Sequence, residues 1–356
     1  MPDHGGRELR VVAIGGGTGL STILKGLKKY AVRRGDPYLS AGPDFARISE
    51  LCAVVTVTDD GGSSGRLRKE LNMLPPGDVR NCIVALSEDE ALLSQVFQHR
   101  FDKGTGLEGH SFGNLFLAAL TSLTGDFSEA VRLSSEILAT RGHIYPATAS
   151  DIELEALMED GSRVRGETKI TASKGRVKEL FLVPPEPEPL PQTLDAIARA
   201  DLITVGPGSL FTSLIPNLLV SGIPHAIRDS AATKVYICNL MTQANESLGR
   251  SAADHIRALY DHAGCRFLDY ALINQRPTSE ELKAKYNLEG ASQIVVDLKA
   301  IEALGVCPVL GDYLFEDGVA RHDTDQVAKD LLDLVIQAPA ESRSRMGEHI
   351  RNPSRN

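Results

Sequence analysis

The stretch "LRVVAIGGGTGLSTILKGL", which starts at Leu9, constrains this chain more than any other. "RVVAIG" is an unbroken apolar run ending in glycine, as expected of a parallel strand covered on both faces. Leu20, Ile23, Leu24 and Leu27 then recur at helical spacing, with lysines between them. A glycine loop joins the two. Glycines let a backbone turn sharply and approach a ligand with no Cβ in the way. The helix that follows offers unpaired N–H groups and the positive end of its dipole, which suits an anion. Thr18 and Ser21 add hydroxyl donors. The spacing is not GxGxxG, because Leu20 holds the sixth position, and no lysine follows as in GxxxxGK[ST]. Neither the standard dinucleotide fingerprint nor a P-loop is present.

The rhythm repeats. "LCAVVTVTDDGG" is a second apolar strand with an acidic, glycine-rich end. The text from Val79 to about Ala139 is mostly helical. From His143 the period changes, and "DIELEALMEDGSRVRGETKI" alternates about "EDGS", a hairpin signal, so a small antiparallel excursion is expected over 143–183. "PPEPEPLP" is a stiff connector. "ADLITVGPGSLFTSLIPNLLV" resumes strand, loop and helix. "KVYICNL" and "FLDYALIN" are further strands, with "SAADHIRALYDHAG" a helix between them. "SQIVVDL" and the "DYLF" region are expected to close the sheet, and "DQVAKDLLDLVIQA" to form a last amphipathic helix. This alternation predicts an α/β fold with a doubly wound, mostly parallel Rossmann-like sheet. A single nucleotide-binding domain over 8–338 and a disordered polar tail over 339–356 follow from it.

With 356 residues, 42% of them hydrophobic, the chain can bury a large core. Its net charge of −9 without a long basic run argues against a general nucleic-acid binder. No segment reaches the roughly 18 apolar residues of a membrane span, and "MPDHGGRELR" lacks the apolar core of a signal peptide, so a cytoplasmic protein is expected. The five cysteines are far apart with no CxxC pair, and read as reduced, mostly buried residues.

All the glycine loops fall at strand carboxyl ends, where doubly wound sheets bind ligands. In "TVTDDGGSSGRLRKEL", Asp59 and Asp60 precede Ser63, Ser64 and Arg66, a set suited to a metal-bridged phosphate or a ribose contact. One of the two acids is expected at the ligand; the other is an N-cap or metal candidate. Asp78 in "LPPGDVRNC" reads as a helix cap. "EGHSFGNLF" sets His110 and Asn114 at the entry of an apolar helix. "VGPGSLFTS" is a second phosphate-loop candidate, with Gly206, Gly208 and Ser209. Arg321 lies in a turn before the last helix, which Asp323 or Thr324 caps. Neither a GxSxG elbow nor an HExxH or HxxxH zinc motif occurs.

Taken together, "AIGGGTGLSTILKGL", "VTDDGGSSGRLR", "PPGDVRNC", "GHSFGNL", "TVGPGSLFTSLIPNLL" and "ARHDT" resemble the YvcK-like branch of the CofD/UPF0052 family, the gluconeogenesis factors. The likeness runs from about Arg10 to Ile336. It implies a Rossmann-like domain that binds a UDP-activated sugar such as UDP-N-acetylglucosamine and regulates cell shape and wall synthesis during gluconeogenic growth. It carries ligand contact onto Gly16, Gly17, Thr18, Gly19, Asp59, Asp60, Asn114, Gly206, Gly208 and Ser209, and further onto Tyr286 in "KYNLEG" and Arg321 in "ARHDT". An aromatic ring stacks on a base, and a guanidinium suits a diphosphate. The sister branch, 2-phospho-L-lactate transferase, implies the alternative: phospholactyl transfer with a guanosine nucleotide and Mg. An NAD(P)-dependent oxidoreductase is a third reading, disfavoured by the broken fingerprint. No nucleophile–base pair stands out, so no catalytic residue is assigned; a non-catalytic regulator is favoured over a transferase. A homodimer is the base-rate expectation, and the regulatory partner is left open.

Overall fold

The computed structural model describes residues 8–32, 47–88, 90–173, 175–244 and 246–337. The tail expected over 339–356 lies outside the described residues. In chain order, strand β1 (Glu8–Gly15) leads into helix α1 (Gly17–Lys28), and β2 (Arg47–Val55) into α2 (Gly62–Leu71), α3 (Gly77–Leu86), α4 (Glu90–Gln98), α5 (Phe112–Thr124) and α6 (Phe127–Ile137). Then come β3 (His143–Pro146), β4 (Glu153–Met158), β5 (Arg163–Arg165), α7 (Glu167–Ala172), β6 (Val177–Val183), α8 (Pro191–Arg199) and β7 (Leu202–Val205). A π-helical turn (Leu210–Leu214) runs into α9 (Ile215–Leu218), with Pro216 in its first turn, where a missing N–H is harmless. The chain continues through α10 (Ile223–Asp229), β8 (Thr233–Ile237), α11 (Ala252–Ala263), β9 (Tyr270–Asn274), α12 (Glu280–Asn287) and α13 (Leu298–Ala303). It ends in β10 (Cys307–Gly311), β11 (Leu314–Glu316), β12 (Ala320–His322) and α14 (Thr324–Gln337).

Seven of these strands form one parallel sheet in the order β10-β9-β8-β7-β1-β2-β3. β1 lies at its centre, with Leu9, Val11, Val12, Ala13 and Ile14 all at most 1% exposed. That is why its sequence shows no polar alternation. α1 buries Leu20, Ile23, Leu24 and Leu27 completely and packs on α3 and α14. Burial of such a side chain contributes about 1.5–3 kcal/mol. The order turns at β1: the chain proceeds outward on one side through β2 and β3, then crosses to β7 and proceeds outward on the other. The crevice beyond the carboxyl ends of β1 and β7 is therefore the topological switch point.

Three expectations need correction. The antiparallel excursion begins at Glu153 rather than His143, because His143–Pro146 pair in parallel with Cys52–Val55. Its sheet is β5-β4-β6, and "GETKI" leaves the alternation to form α7. "SQIVVDL" is not a strand; it makes a single bridge from Gln293 to Met241, and Val295 is 65% exposed. The sheet is closed by β10, whose residues pair with Tyr270–Asn274, while "DYLF" contributes β11 to a separate hairpin with β12. Of the five cysteines, all free, Cys52, Cys82 and Cys238 are buried and Cys307 lies exposed on the edge strand. Among the described residues no single helix is long and apolar enough to cross a membrane.

Candidate functional site

A cavity of about 690 Å³ opens at the switch point, within the ~300–1,000 Å³ typical of small-molecule sites. Its floor is the first glycine loop, Gly16 to Gly19, and the second, Pro207 to Ser209. The two loops touch. A Cβ on Gly19 would stand 2.3 Å from the Pro207 carbonyl oxygen, and one on Gly16 would meet Thr56 Cγ2 at 2.6 Å and Asp78 Oδ2 at 2.8 Å. Only glycine allows this closeness. Gly16 precedes α1 with no side-chain cap, so the first-turn N–H groups of Thr18 and Gly19 have no partner within the helix.

Across the cavity stand Tyr286 and Arg321, brought there by α12 and β12. The Tyr286 hydroxyl accepts from the Ala320 backbone N–H at 3.2 Å, and the residue packs against Leu240, Met241 and Leu314. One side wall is the segment from Asn239 to Ala244; another is Glu167 and Thr171 on α7.

Carboxylates dominate the lining. Asp78, Glu167 and Glu289 face Arg321 as the cavity's one guanidinium among the described lining residues. Asp78 is not a helix cap. Pro76 precedes α3, and Asp78 turns from the first turn of that helix toward Gly16 and Gly17. Burial, then the charge of Asp59, pushes Asp78 up to about 7, against the hydrogen bond it accepts from the Gly17 N–H. Burial and the neighbouring acids likewise hold Glu167 well above the carboxylate range. His322 at the rim donates Nε2–H to the Cys238 carbonyl at 3.1 Å, and burial depresses it to about 4, so it is a neutral, committed side chain.

The residues expected at the ligand divide into two groups. Gly16, Gly17, Thr18, Gly19, Gly208, Ser209, Tyr286 and Arg321 line the cavity. Asp59, Asp60, Ser64, Arg66, His110, Asn114 and Gly206 lie outside its lining. Asp59 Oδ1 accepts from the Gly61 N–H at 2.9 Å. Asp60 Oδ1 accepts from the Thr168 N–H at 2.8 Å and from its hydroxyl, and so ties α7 to the end of β2. Asn114, His110 and the serines form a buried chain. Arg80 donates to Asn114 Oδ1 at 3.1 Å, which directs the amide N–H toward Ser63 Oγ at 3.1 Å. Ser63 Oγ is in turn hydrogen-bonded to His110 Nδ1 at 2.9 Å, and burial lowers the His110 pKa. Ser111 caps α5, its hydroxyl accepting from the Asn114 N–H at 3.3 Å. Arg66 donates to the Glu108 carbonyl at 2.6 Å. These contacts dock α2 onto α3 and α5 beneath the acidic loop.

Sequence reading passed over Glu167, Thr171, Asn239, Gln243 and Glu246. None lies in a glycine loop, and only the fold brings them to the strand ends. A magnesium ion, which the resemblance raises, fits the residues present only in combination with ligand oxygens. Among the described residues no group of three or more His, Cys, Asp or Glu side chains is placed to hold a metal. Mg²⁺ is commonly held by one or two carboxylates plus substrate phosphates.

These features define an α/β protein with an open cavity at the switch point of a parallel sheet. The chain belongs to the CofD/UPF0052 family: the profile of 2-phospho-L-lactate transferase CofD matches residues 11–314. It is also similar to the gluconeogenesis factors of Halalkalibacterium halodurans, 48% identical over 92% of this chain and 97% of that one, and of Bacillus subtilis, 46% identical over 93% and 99%. A solved Bacillus halodurans protein of the UPF0052 family superposes with a TM-score of 0.84 at 47% identity, covering 92% of this chain and 99% of that chain.

Proposed function

We propose that this chain is a cytoplasmic regulatory protein that binds a nucleotide sugar of the UDP-N-acetylglucosamine type and, like the gluconeogenesis factors it resembles, acts in cell-shape and cell-wall control during gluconeogenic growth. Residues 8–338 would serve as one nucleotide-binding unit, acting as a homodimer and through a protein partner. The observation that carries this reading is the cavity's polarity from end to end. Uncapped α1 N–H groups meet the diphosphate, Arg321 faces them, and Tyr286 beside Leu240 and Met241 offers a surface for the base. The lining holds no histidine free to act as a base: His322, the one histidine among the lining residues, is committed to the Cys238 carbonyl, and the Ser209 and Thr212 hydroxyls bond the sealed Glu246. That favours binding over turnover.

The second reading is the CofD-type transferase with a guanosine nucleotide and Mg. It rests on the matched family and on the carboxylates at the diphosphate end. A thermal-shift panel of UDP-N-acetylglucosamine, UDP-glucose, GDP and NAD, each with and without Mg²⁺, separates the two. A ligand at a hundred times its Kd stabilises by about 2.7 kcal/mol. Stabilisation by the UDP-sugars supports the first reading. Stabilisation by GDP alone, dependent on Mg²⁺, would replace it with the second.

A further inference from the structure

The second glycine loop looks in sequence like a phosphate site, but its amides are already taken. The N–H groups of Phe211 and Thr212, in the first turn after Ser209, donate to Glu246 Oε1 at 2.8 and 3.0 Å. Glu246 is 3% exposed. The Ser209 and Thr212 hydroxyls bond the same carboxylate. The Ser209 proton is thereby spent on Glu246, so Gln243 must donate to Ser209 Oγ, at 2.9 Å. Asn239 completes the clasp, accepting from the Gly208 N–H at 3.1 Å and donating to the Gly208 carbonyl at 2.8 Å.

Asn239, Gln243 and Glu246 thus fasten the chain that follows β8 to the loop after β7, and Leu240, Met241 and Gln243 form a cavity wall. The wall carries a cost of its own: Gln243 Oε1 is buried without a partner. Its seating therefore depends on the amide and hydroxyl bonds gathered at Glu246.

We propose that Glu246 is a positioning residue for ligand binding: by occupying the Phe211 and Thr212 amides it seats the 239–244 wall against Tyr286, and so shapes the end of the cavity that receives the base, leaving the ligand's phosphates to the first glycine loop. This rests on the nucleotide reading given above. Two measurements on the full chain test it. Hydrogen exchange without ligand compares wild type, Glu246→Ala and Glu246→Gln. Calorimetry then measures UDP-N-acetylglucosamine and inorganic pyrophosphate on each.

Glu246→Ala is expected to speed exchange at 239–247 while β1 and β8 keep their protection. It should weaken the UDP-sugar at least about tenfold and change pyrophosphate by less than about twofold. Glu246→Gln, whose amide oxygen still accepts both N–H bonds, should restore most of the protection and affinity. Unchanged exchange at 239–247, equal loss for both probes, or a Gln variant as poor as the Ala variant each overturns the proposal. If Glu246→Ala fails to fold, Glu246→Asp, which keeps the charge and shortens the reach, carries the same two measurements in the same direction. Failure of wild type to bind the UDP-sugar overturns the nucleotide reading instead, and the exchange comparison still decides the latch.

Discussion

The two glycine loops on the cavity floor look alike in sequence and differ in what they have to offer. Each follows a buried parallel strand, each opens a helical turn, and each is joined by a carboxylate from elsewhere in the chain. At the first loop Asp78 takes the Gly17 N–H and looks into the cavity, while Thr18 and Gly19 keep amides without a helical partner. At the second, Glu246 lies sealed beneath the wall and takes two amides and two hydroxyls. An anion arriving at the first loop meets free donors; at the second it meets a site that the protein has filled itself. A glycine motif thus reports a close approach of backbone, and only its long-range partners tell whether a ligand is what approaches.

The sharpest way to break this comparison is to add one methyl group to each loop. Gly19→Ala drives a Cβ to 2.3 Å from the Pro207 carbonyl oxygen, a backbone atom that cannot swing aside. A loss of about 1–3 kcal/mol is expected, together with loss of ligand binding, since the two loops must part. Gly208→Ala meets Leu214 Cδ2 at 3.2 Å, Ser213 Cβ at 3.3 Å and, in ordinary contact, the Gly16 carbonyl oxygen at 3.8 Å; a shift of a few tenths of an ångström relieves these, so it should cost less than about 1 kcal/mol. Urea unfolding of the pair measures the difference. Equal losses would mean that the loops do not depend on each other's contact.

Much of this site was legible from the start, and the reason is locality. Gly16 to Gly19 are neighbours in sequence, so strand, turn and helix start are written within one stretch. The apolar runs of β1, β2 and β7 show the parallel sheet because both their faces are covered. The edge was misread for the same reason: "SQIVVDL" has the right residues for a strand, yet β10 takes that place, and nothing within seven residues records which neighbour wins. Asp78 looked like a cap because a cap is what an acid near a helix start usually is; its true neighbours, Gly16 and Gly17, come from another strand end. Glu246 carries no local signal at all, being one acid in "QANESLGR".

A smaller effect follows from the pH dependence that the first loop should show through Asp78; burial raises Glu246 at the second loop as well, but that group is sealed from the cavity. Asp78 is raised from 3.8 to about 7, so in the folded protein it holds a proton that the unfolded chain releases above about pH 4. Its contribution to stability is fully present below pH 4 and is lost as pH rises to about 7. Glu167 shifts in the same direction. Asp78→Asn should therefore gain stability over wild type as pH rises from 5 to 8, and the two should converge near pH 4. A diphosphate beside Asp78 should likewise bind wild type more weakly above pH 7, by up to about tenfold per unit, and Asp78→Asn with little pH dependence. Melting curves and calorimetry at pH 5, 6, 7 and 8 decide it; a wild type whose affinity is flat over that range would place the phosphates away from Asp78.

The smallest expected effect concerns the wall that neither glycine loop holds. Asp60 fastens α7 to the end of β2 through the Thr168 N–H and hydroxyl, in an exposed setting where water replaces much of what is lost and the pair contributes about 0.5 kcal/mol. Asp60→Ala should leave the central sheet intact and lower the melting temperature slightly. It should also loosen Glu167 and Thr171, which line the cavity. Protease nicking near α7, faster than in wild type and slowed by ligand, is the expected mark. If Asp60→Ala abolishes ligand binding while α7 stays as protected as before, Asp60 touches the ligand directly, and the acidic loop joins the first glycine loop as an open site rather than the second as a filled one.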